Sequence, residues 1–363
     1  MQLTLINSLI EARVTVTAEN DPQGVTMNAE TLLEVRGLNV LFKTDEGLIT
    51  AVDSVDFDVN RGKVLGIVGE SGSGKSVTTL AIMRLLPKNG LLNQASQINY
   101  RRTDGSKVDV VKLNHNSTEM RDIRGGEISM IFQEPMASFS PVWTIGNQMI
   151  EAIRLHRKLD KHAARKVAIE MLEKVGISNP AMRVDQYPHE LSGGMRQRAM
   201  IGMALSTDPS LLIADEPTTA LDVTIQAQIL ELMRSLQQEF NMSIIFITHD
   251  IGVIARVADE VVVMYLGNIV ERGQTVDVIH DPKHPYTKGL IAALPDWTKV
   301  VHRLTPVGGD IPSPLERPTG CPFHPRCDSA IPGVCDKSTP AEVFVGDSRR
   351  VSCILYKDET AQA

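Results

Sequence analysis

The arrangement of apolar and polar positions divides the chain into short strands and amphipathic helices. Leu32 to Phe42 and Ile49 to Val59 nearly alternate, with Val52, Val55, Phe57 and Val59 on one face, and Thr44-Asp45-Glu46-Gly47 lies between them as a turn. This predicts two half-buried strands. Four apolar runs, 63–68, 127–132, 210–214 and 243–248, are short and nearly continuous, as in parallel strands covered on both faces. A last pair of strands is read at 261–266 and 268–271. Helical spacing marks Val77, Leu80, Ile82, Met83, Leu85 and Leu86, with a stop at Pro87. Residues 146–206 read as helical, striped by Met149, Ile150 and Ile153 and then by Val167, Ala168, Met171, Leu172 and Val175. A further stripe is Ile225, Ile229, Met233 and Leu236. Between 90 and 127 polar turns prevail, with Asp104-Gly105 separating strands at 97–100 and 107–111. Residues 1 to about 30 end in the turn-rich Asp21-Pro22-Gln23-Gly24 and are expected to be a disordered extension; Met27, just before the first strong strand, is a candidate start.

Composition narrows the class. The 363 residues are 42% apolar and 22% charged, ordinary for a globular protein. The net charge of −7 argues against a general nucleic-acid surface. No run approaches the ~18 consecutive apolar residues of a membrane span. Leu3 to Ile10 is interrupted by Thr4, Asn7 and Ser8 and makes a poor signal peptide, so an intracellular protein is expected. All 4 cysteines fall after position 320.

The chemistry starts at Gly69-Glu70-Ser71-Gly72-Ser73-Gly74-Lys75-Ser76, which fits G-x-x-x-x-G-K-[ST] between a strand and a helix. Glycines let the backbone wrap a phosphate, and the helix N-terminus presents N–H groups to it. Lys75 would reach the β- and γ-phosphates and Ser76 would ligate Mg²⁺. The run 127–132 delivers Gln133, whose carbonyl oxygen can bind Mg²⁺ or position water. Leu191-Ser192-Gly193-Gly194-Met195-Arg196-Gln197-Arg198 forms a second anion-binding helix start, so there are either two ligands or one ligand shared between two chains. The strand 210–214 opens onto Asp215 and Glu216, which alternate faces. Asp215 suits the Mg²⁺ shell and Glu216 suits polarising a water. His249 falls at another strand's C-terminal end, where ligands sit in open α/β sheets. Phe42 stands where its strand enters the turn and is either an adenine-stacking aromatic or a core residue.

In order and spacing these residues resemble an ATP-binding-cassette ATPase over roughly 31–275: the loop 69–76, Gln133, the run 191–198, Asp215-Glu216, Ala220-Leu221-Asp222 and His249. The resemblance implies an α/β fold with a phosphate-loop NTPase core, an antiparallel β subdomain, an α-helical signature subdomain at about 135–206, and a small C-terminal cysteine-containing extension. It implies ATP and Mg²⁺ held by Gly69, Ser71, Gly72, Ser73, Gly74, Lys75, Ser76 and Val77, with Phe42 on the adenine. Ser76, Gln133 and Asp215 would hold the metal. Glu216 would be the catalytic base, with His249 on the γ-phosphate. Ser192, Gly193 and Gly194 would cap the γ-phosphate of the nucleotide bound by the opposite subunit of a head-to-tail dimer, and Asp222 would be a nucleotide-site residue.

Asp281-Pro282-Lys283-His284-Pro285-Tyr286-Thr287 and Gly320-Cys321-Pro322-Phe323-His324-Pro325-Arg326-Cys327 are similar to the dipeptide/oligopeptide importer ATPases. On this resemblance 31–280 is the ATPase domain and 281–363 the importer-type C-terminal region. The signature is similar to the first ATPase of a heterodimeric pair. Expected partners are a second homologous ATPase, two membrane permeases and an extracytoplasmic substrate-binding protein, with no nucleic acid. The expected location is the cytoplasmic face of the membrane, with a permease helix docking around 138–143, where Phe139 and Trp143 lie. Nickel, opine or oligosaccharide import is the alternative cargo. A soluble non-transport ABC ATPase is disfavoured by the acidic charge and by the lack of a coiled-coil insertion or a second cassette. Cys321, Cys327, Cys335 and Cys353 are spaced C-x5-C-x7-C-x17-C, too wide for the usual zinc pairs, and a reducing cytosol disfavours disulfides. Four thiolates can hold an iron–sulfur cluster. Importer ATPases with this cysteine pattern resemble carriers of a four-iron, four-sulfur cluster, here expected to be structural.

Overall fold

The structure, a computed structural model, describes residues 31–133, 139–219, 221–294, 307–346 and 348–357. The expected N-terminal extension, Ser138 and Ala220 lie outside these residues. Two sheets organise what is described. The first is antiparallel, with β1 (Thr31–Thr44) paired to β2 (Gly47–Asn60) and turned at Asp45-Glu46. The pairing shifts register around Leu38 and Val40, with Gly37 and Ser54 at positive φ. These bulges are why the alternation is only near-perfect: each slip turns the next apolar residue back to the buried face.

The second sheet has the order β12-β13-β11-β10-β3-β9-β8-β7. These strands are β3 (Val64–Val68), β7 (Ile128–Ile131), β8 (Leu211–Asp215), β9 (Ser243–Thr248), β10 (Glu260–Tyr265), β11 (Asn268–Gln274), β12 (Val343–Val345) and β13 (Arg349–Val351). From β10 to β7 every pairing is parallel. β3 at the centre is buried throughout, which explains its uninterrupted apolar run. Gly66 in β3 is required by close packing, because a Cβ there would lie 2.8 Å from Ile254 and 2.9 Å from Ala258. The parallel alignment brings the C-terminal ends of β3, β7, β8 and β9 to one edge, where the candidate residues follow.

Helices cover the sheet, beginning with α1 (Lys75–Ile82) after β3. This helix stops five residues before Pro87. Arg84 takes a left-handed φ of 53°, and Leu85 N–H donates to Leu80 O at 2.8 Å, closing the helix end. A separate layer contains α2 (Ile145–His156), α3 (Lys161–Lys174) and α4 (Gly193–Leu205), packed on one another through Met149, Ile153, Ala168, Met171, Leu172 and Ile201. The span read as helical from 146 to 206 is therefore broken, with a left-handed Asn179 and short turns before the signature. The expected strand 107–111 ends at Asp109, whose carboxylate accepts from Val111 N–H and starts a 3₁₀ turn.

The C-terminal region is joined to the ATPase sheet. β13 pairs with β11, and Phe323 is buried against Tyr265 (5.2 Å, edge-on), Tyr286 and His284. Two buried polar groups brace this junction. Glu271 is 0% exposed and accepts from the backbone N–H groups of Lys283 and His284, both at 2.9 Å. His284 caps the helix Pro285–Ala292, its Nδ1 accepting from Tyr286 N–H at 3.1 Å.

Burial drives the His284 imidazole down to about 3. Between pH 6.5 and 3 the unfolded chain therefore binds a proton that the folded chain refuses, and folding weakens as pH falls. Asn keeps the helix cap without titrating. In urea unfolding at pH 7.5 and 5.5, His284→Asn should lose less stability on acidification than wild type, by roughly 1 kcal/mol. Equal losses would show that His284 is not buried in its neutral form.

Candidate functional site

The loop 69–76 leaves β3 and enters α1 through Gly74, which caps the helix at φ 97°. Two glycines are fixed by contact. A Cβ on Gly69 would lie 2.2 Å from the Met264 carbonyl, and one on Gly74 would lie 2.6 Å from the Ala51 carbonyl. The loop is thus clamped between β10 and β2. Ser73 O accepts from Gly267 N–H at 3.0 Å. The free N–H groups of the first helical turn, Lys75 to Val77, open toward the loop. The side chain of Val77 packs with the apolar core between the sheets, so only its backbone can serve an anion. Lys75 Nζ donates to Gly69 O (2.7 Å), Glu70 O (2.9 Å) and Ser73 Oγ (3.4 Å), which holds a buried ammonium inside the loop. Burial lowers its pKa, while Glu216, Asp215 and Glu70 pull the other way.

Asp215 and Glu216 follow β8. Asp215 is 5% exposed, and its Oδ1 has no hydrogen-bond partner. Burial raises its carboxyl, with the Ser76 hydroxyl and Lys75 opposing. A buried carboxylate oxygen without a donor, beside a serine hydroxyl and an ammonium, is the arrangement a divalent cation completes. Glu216 adopts a left-handed φ of 47°, uncommon for a residue with a side chain and of a kind found at functional sites. Its backbone N–H donates to Ile247 O at 2.9 Å. Its carboxylate collects three donors: Thr219 Oγ1 at 2.8 Å, Gln133 Nε2 at 3.1 Å and His249 Nδ1 at 3.2 Å. Burial pushes this carboxyl up, but the bonds from Thr219 and His249 and the charges of His249 and Lys75 outweigh it, leaving the net shift downward. Glu216 is therefore held as a carboxylate, the form a base needs. Thr219 escaped the sequence reading; the available signal was a hydroxyl three residues beyond the acid.

Gln133, His249, Glu216, Asp215, Lys75 and Ser76 thus meet at one edge of the sheet. Ser192 and Asp222 engage their own helices. Ser192 Oγ accepts from Met195 N–H (3.3 Å) to cap α4, and Asp222 Oδ1 accepts from Ile225 N–H (2.9 Å) to cap α5 (Val223–Phe240). The two caps are neighbours, because Gly194 lies against Ile225, while the Cβ direction of Gly193 opens onto space. Phe42 is half-buried, pairs with Ile49 and touches Gly90. Its side chain packs against the apolar core cluster of β1 and β2. Phe139 is buried, whereas Trp143 is 58% exposed.

The four cysteines are free thiols, with Cys335 buried. Cys321 N–H donates to Cys335 O at 2.8 Å, and Cys335 Sγ accepts from Ile331 N–H at 3.3 Å. Burial, then the charges of Cys353, Cys335 and Cys327, pushes the Cys321 thiol up to about 11. Among the described residues, no group of three or more His, Cys, Asp or Glu is arranged to hold a metal ion.

Comparison with known proteins decides the family. The ABC transporter family matches residues 52–219, and the oligopeptide/dipeptide transporter C-terminal region matches 270–335. A putative peptide import ATP-binding protein of Brucella melitensis is 47% identical over 341 residues, 92% of this chain and 100% of that protein. The chain belongs to the ABC transporter ATPases. The dipeptide transport ATP-binding proteins of Bacillus subtilis and Escherichia coli are 47% and 45% identical, covering 92% and 91% of this chain and 97% and 98% of their own. A dimeric bacterial ABC transporter cassette superposes with a TM-score of 0.57 at 26% identity, over 67% of this chain and 99% of that one. The same cassette in a post-hydrolysis state bound to ADP and Pi gives a TM-score of 0.56 at 25% identity, with equal coverage. The fold is that of a phosphate-loop NTPase cassette, and the chain is an ATP-binding ATP hydrolase.

The clamp on Gly69 has a direct consequence. Gly69→Ala forces the loop off the Met264 carbonyl, whereas Gly72→Ala meets no atom and adds only ~1–2 kcal/mol of left-handed strain. Titration with a fluorescent ATP analogue should find Gly69→Ala at least tenfold weaker than Gly72→Ala. Equal affinities would refute the close-approach constraint.

Proposed function

We propose that the chain powers import of di- or oligopeptides, working with a second, non-identical ATPase, two membrane permeases and an extracytoplasmic binding protein at the cytoplasmic face of the membrane. The observation that carries the catalytic reading is the Glu216 carboxylate, kept ionised and aimed by Thr219, Gln133 and His249. Glu216 takes the proton of the attacking water, and Gln133 and His249 fix its carboxylate so that the water is met in one orientation. His249 also faces the γ-phosphate. Ser76, Asp215 and Gln133 would hold Mg²⁺, which neutralises phosphate charge when bound. Phe42 would stack on adenine. Ser192, Gly193 and Gly194, with Asp222 beside them, face outward to a partner's nucleotide, in keeping with the space in front of Gly193.

The peptide cargo follows the relatives' names and the C-terminal match at 270–335. Nickel, opine or oligosaccharide import uses the same machine and remains the alternative. Among the described residues no helix is long and apolar enough to cross a membrane, consistent with a peripheral subunit. An apolar cavity of about 630 Å³ between the sheet and the helical layer reaches Phe132, next to Gln133, and includes Met83, Met130, Met200 and Met203. The permease helix is expected around 138–143, where Val142 and Trp143 are exposed while Phe139 is committed to the core. The four cysteines suit a four-iron, four-sulfur cluster. Their thiols perturb one another across the group.

Two measurements test these readings. Glu216→Gln should bind ATP as wild type does yet lose roughly 10²–10⁴ in turnover, while Lys75→Ala should lose binding itself; wild-type turnover by Glu216→Gln would remove the base. Anaerobically purified protein should contain about four irons per chain. Iron-free, colourless protein with four titratable thiols would end the cluster assignment, and one zinc would replace it.

A further inference from the structure

Glu70, the second residue of the phosphate loop, is gripped from outside the cassette core on two of its three polar groups. Its backbone N–H donates to the Tyr286 hydroxyl at 2.8 Å. Its carboxylate receives a two-pronged bond from Arg326, with Nη1 2.7 Å from Oε2 and Nη2 3.1 Å from Oε1. The third polar group of Glu70, its carbonyl, accepts from Lys75 Nζ at 2.9 Å. One residue therefore connects the C-terminal region to the loop's lysine.

The grip is rigid. The Arg326 side chain is only 3% exposed. Its Nε donates to Gly308 O at 2.8 Å and Nη2 also donates to Val307 O at 3.1 Å. Its guanidinium lies over the rings of Tyr265 (5.7 Å) and Phe323 (5.9 Å). Tyr286 is fully buried, its ring 4.8 Å from Tyr265. A planar guanidinium with so many donors engaged has one orientation, and a bidentate carboxylate inherits it. Arg326 directly precedes Cys327, so the arm that fixes the loop belongs to the cysteine segment. An isolated surface ion pair would contribute little, but here the arginine is buried, the carboxylate is only partly exposed, and the pair sits at the phosphate cradle. The position also carries a charge problem. An unpaired Glu70 carboxylate in the loop would repel a triphosphate, and Arg326 both cancels that charge and draws it away.

We propose that Arg326 and Tyr286 are positioning residues for ATP binding, through which the cysteine segment holds the phosphate loop in its binding shape. This rests on reading 69–76 as the nucleotide phosphate site, and Lys75→Ala in the full chain is the control for that reading. With MgATP displacement of a fluorescent analogue and steady-state hydrolysis, Arg326→Gln should raise Kd and KM for ATP roughly tenfold or more, with a much smaller change in kcat. Arg326→Lys keeps the charge but loses the fork, and should fall between. Adding Glu70→Gln to Arg326→Gln removes the unpaired carboxylate and should recover most of the lost affinity. A merely structural bridge would lower thermal stability, leave Kd of the folded protein unchanged and show no such recovery. Tyr286→Phe removes only the hydroxyl and should weaken ATP about threefold, which provides a measurement if the arginine variants fail to fold. Kd within twofold of wild type for Tyr286→Phe and for every folded arginine variant, or additive losses in the double variant, would overturn the proposal. If Lys75→Ala also binds normally, the reading of the loop fails instead.

Discussion

Backbone N–H groups bind a phosphate only if the chain can approach it closely, and this requirement governs the structure. The loop 69–76 obtains that approach by being clamped on two sides. Gly69 lies under the Met264 carbonyl of β10 and Gly74 against the Ala51 carbonyl of β2. The first contact lies within the second sheet, but the second exists only with the β1–β2 hairpin in place, so the antiparallel sheet is more than a cover for apolar surface. It forms one wall of the cradle. The parallel order of β3, β9, β8 and β7 brings Thr248-His249, Asp215-Glu216 and Gln133 to the edge where the loop begins. A right-handed βαβ crossover repeated through a parallel sheet has no other place to put them.

The site also has to balance its charges in a poorly solvated space. One buried ammonium, Lys75, faces the fields of Glu216, Asp215 and Glu70. Each carboxylate is handled differently. Glu216 is satisfied by three side-chain donors and stays ionised. Glu70 is neutralised by Arg326. Asp215 keeps an oxygen with no donor and a raised pKa. A buried unpaired carboxylate is costly unless a cation completes it. Asp215 is the one of the three left unsatisfied, and a divalent ion bound there would complete it.

Much of this was legible in the sequence because the signals were local. Continuous apolar runs marked β3, β8 and β9 within about a residue, and each run opened onto its polar residues directly. What the sequence did not show was non-local or conformational. Thr219 reaches Glu216 only because Glu216 turns left-handed after β8. Arg84 ends α1 early in a conformation usually taken by glycine. Phe139 could by sequence serve either a docking surface or the core, and the helical layer folds over it. The pairing of Glu70 with Arg326 joins positions 256 residues apart, beyond the reach of any spacing rule.

The same distinction explains the C-terminal region. Taken as a segment, it is rich in Pro and Gly and has little core of its own. In the fold Phe323, Val345 and Val351 are buried, while Ile311, Leu315, Ile331, Val334, Phe344 and Leu355 stay exposed. Phe323 fills a space among Tyr265, Tyr286 and His284, and β13 extends the central sheet through β11. The stability of the segment and the shape of the phosphate loop therefore draw on one set of contacts, with Tyr286 and Arg326 belonging to both. A segment attached only by a linker could vary without consequence for nucleotide binding. One that shares buried polar groups with the loop cannot move without changing where Glu70, and with it Lys75, is held.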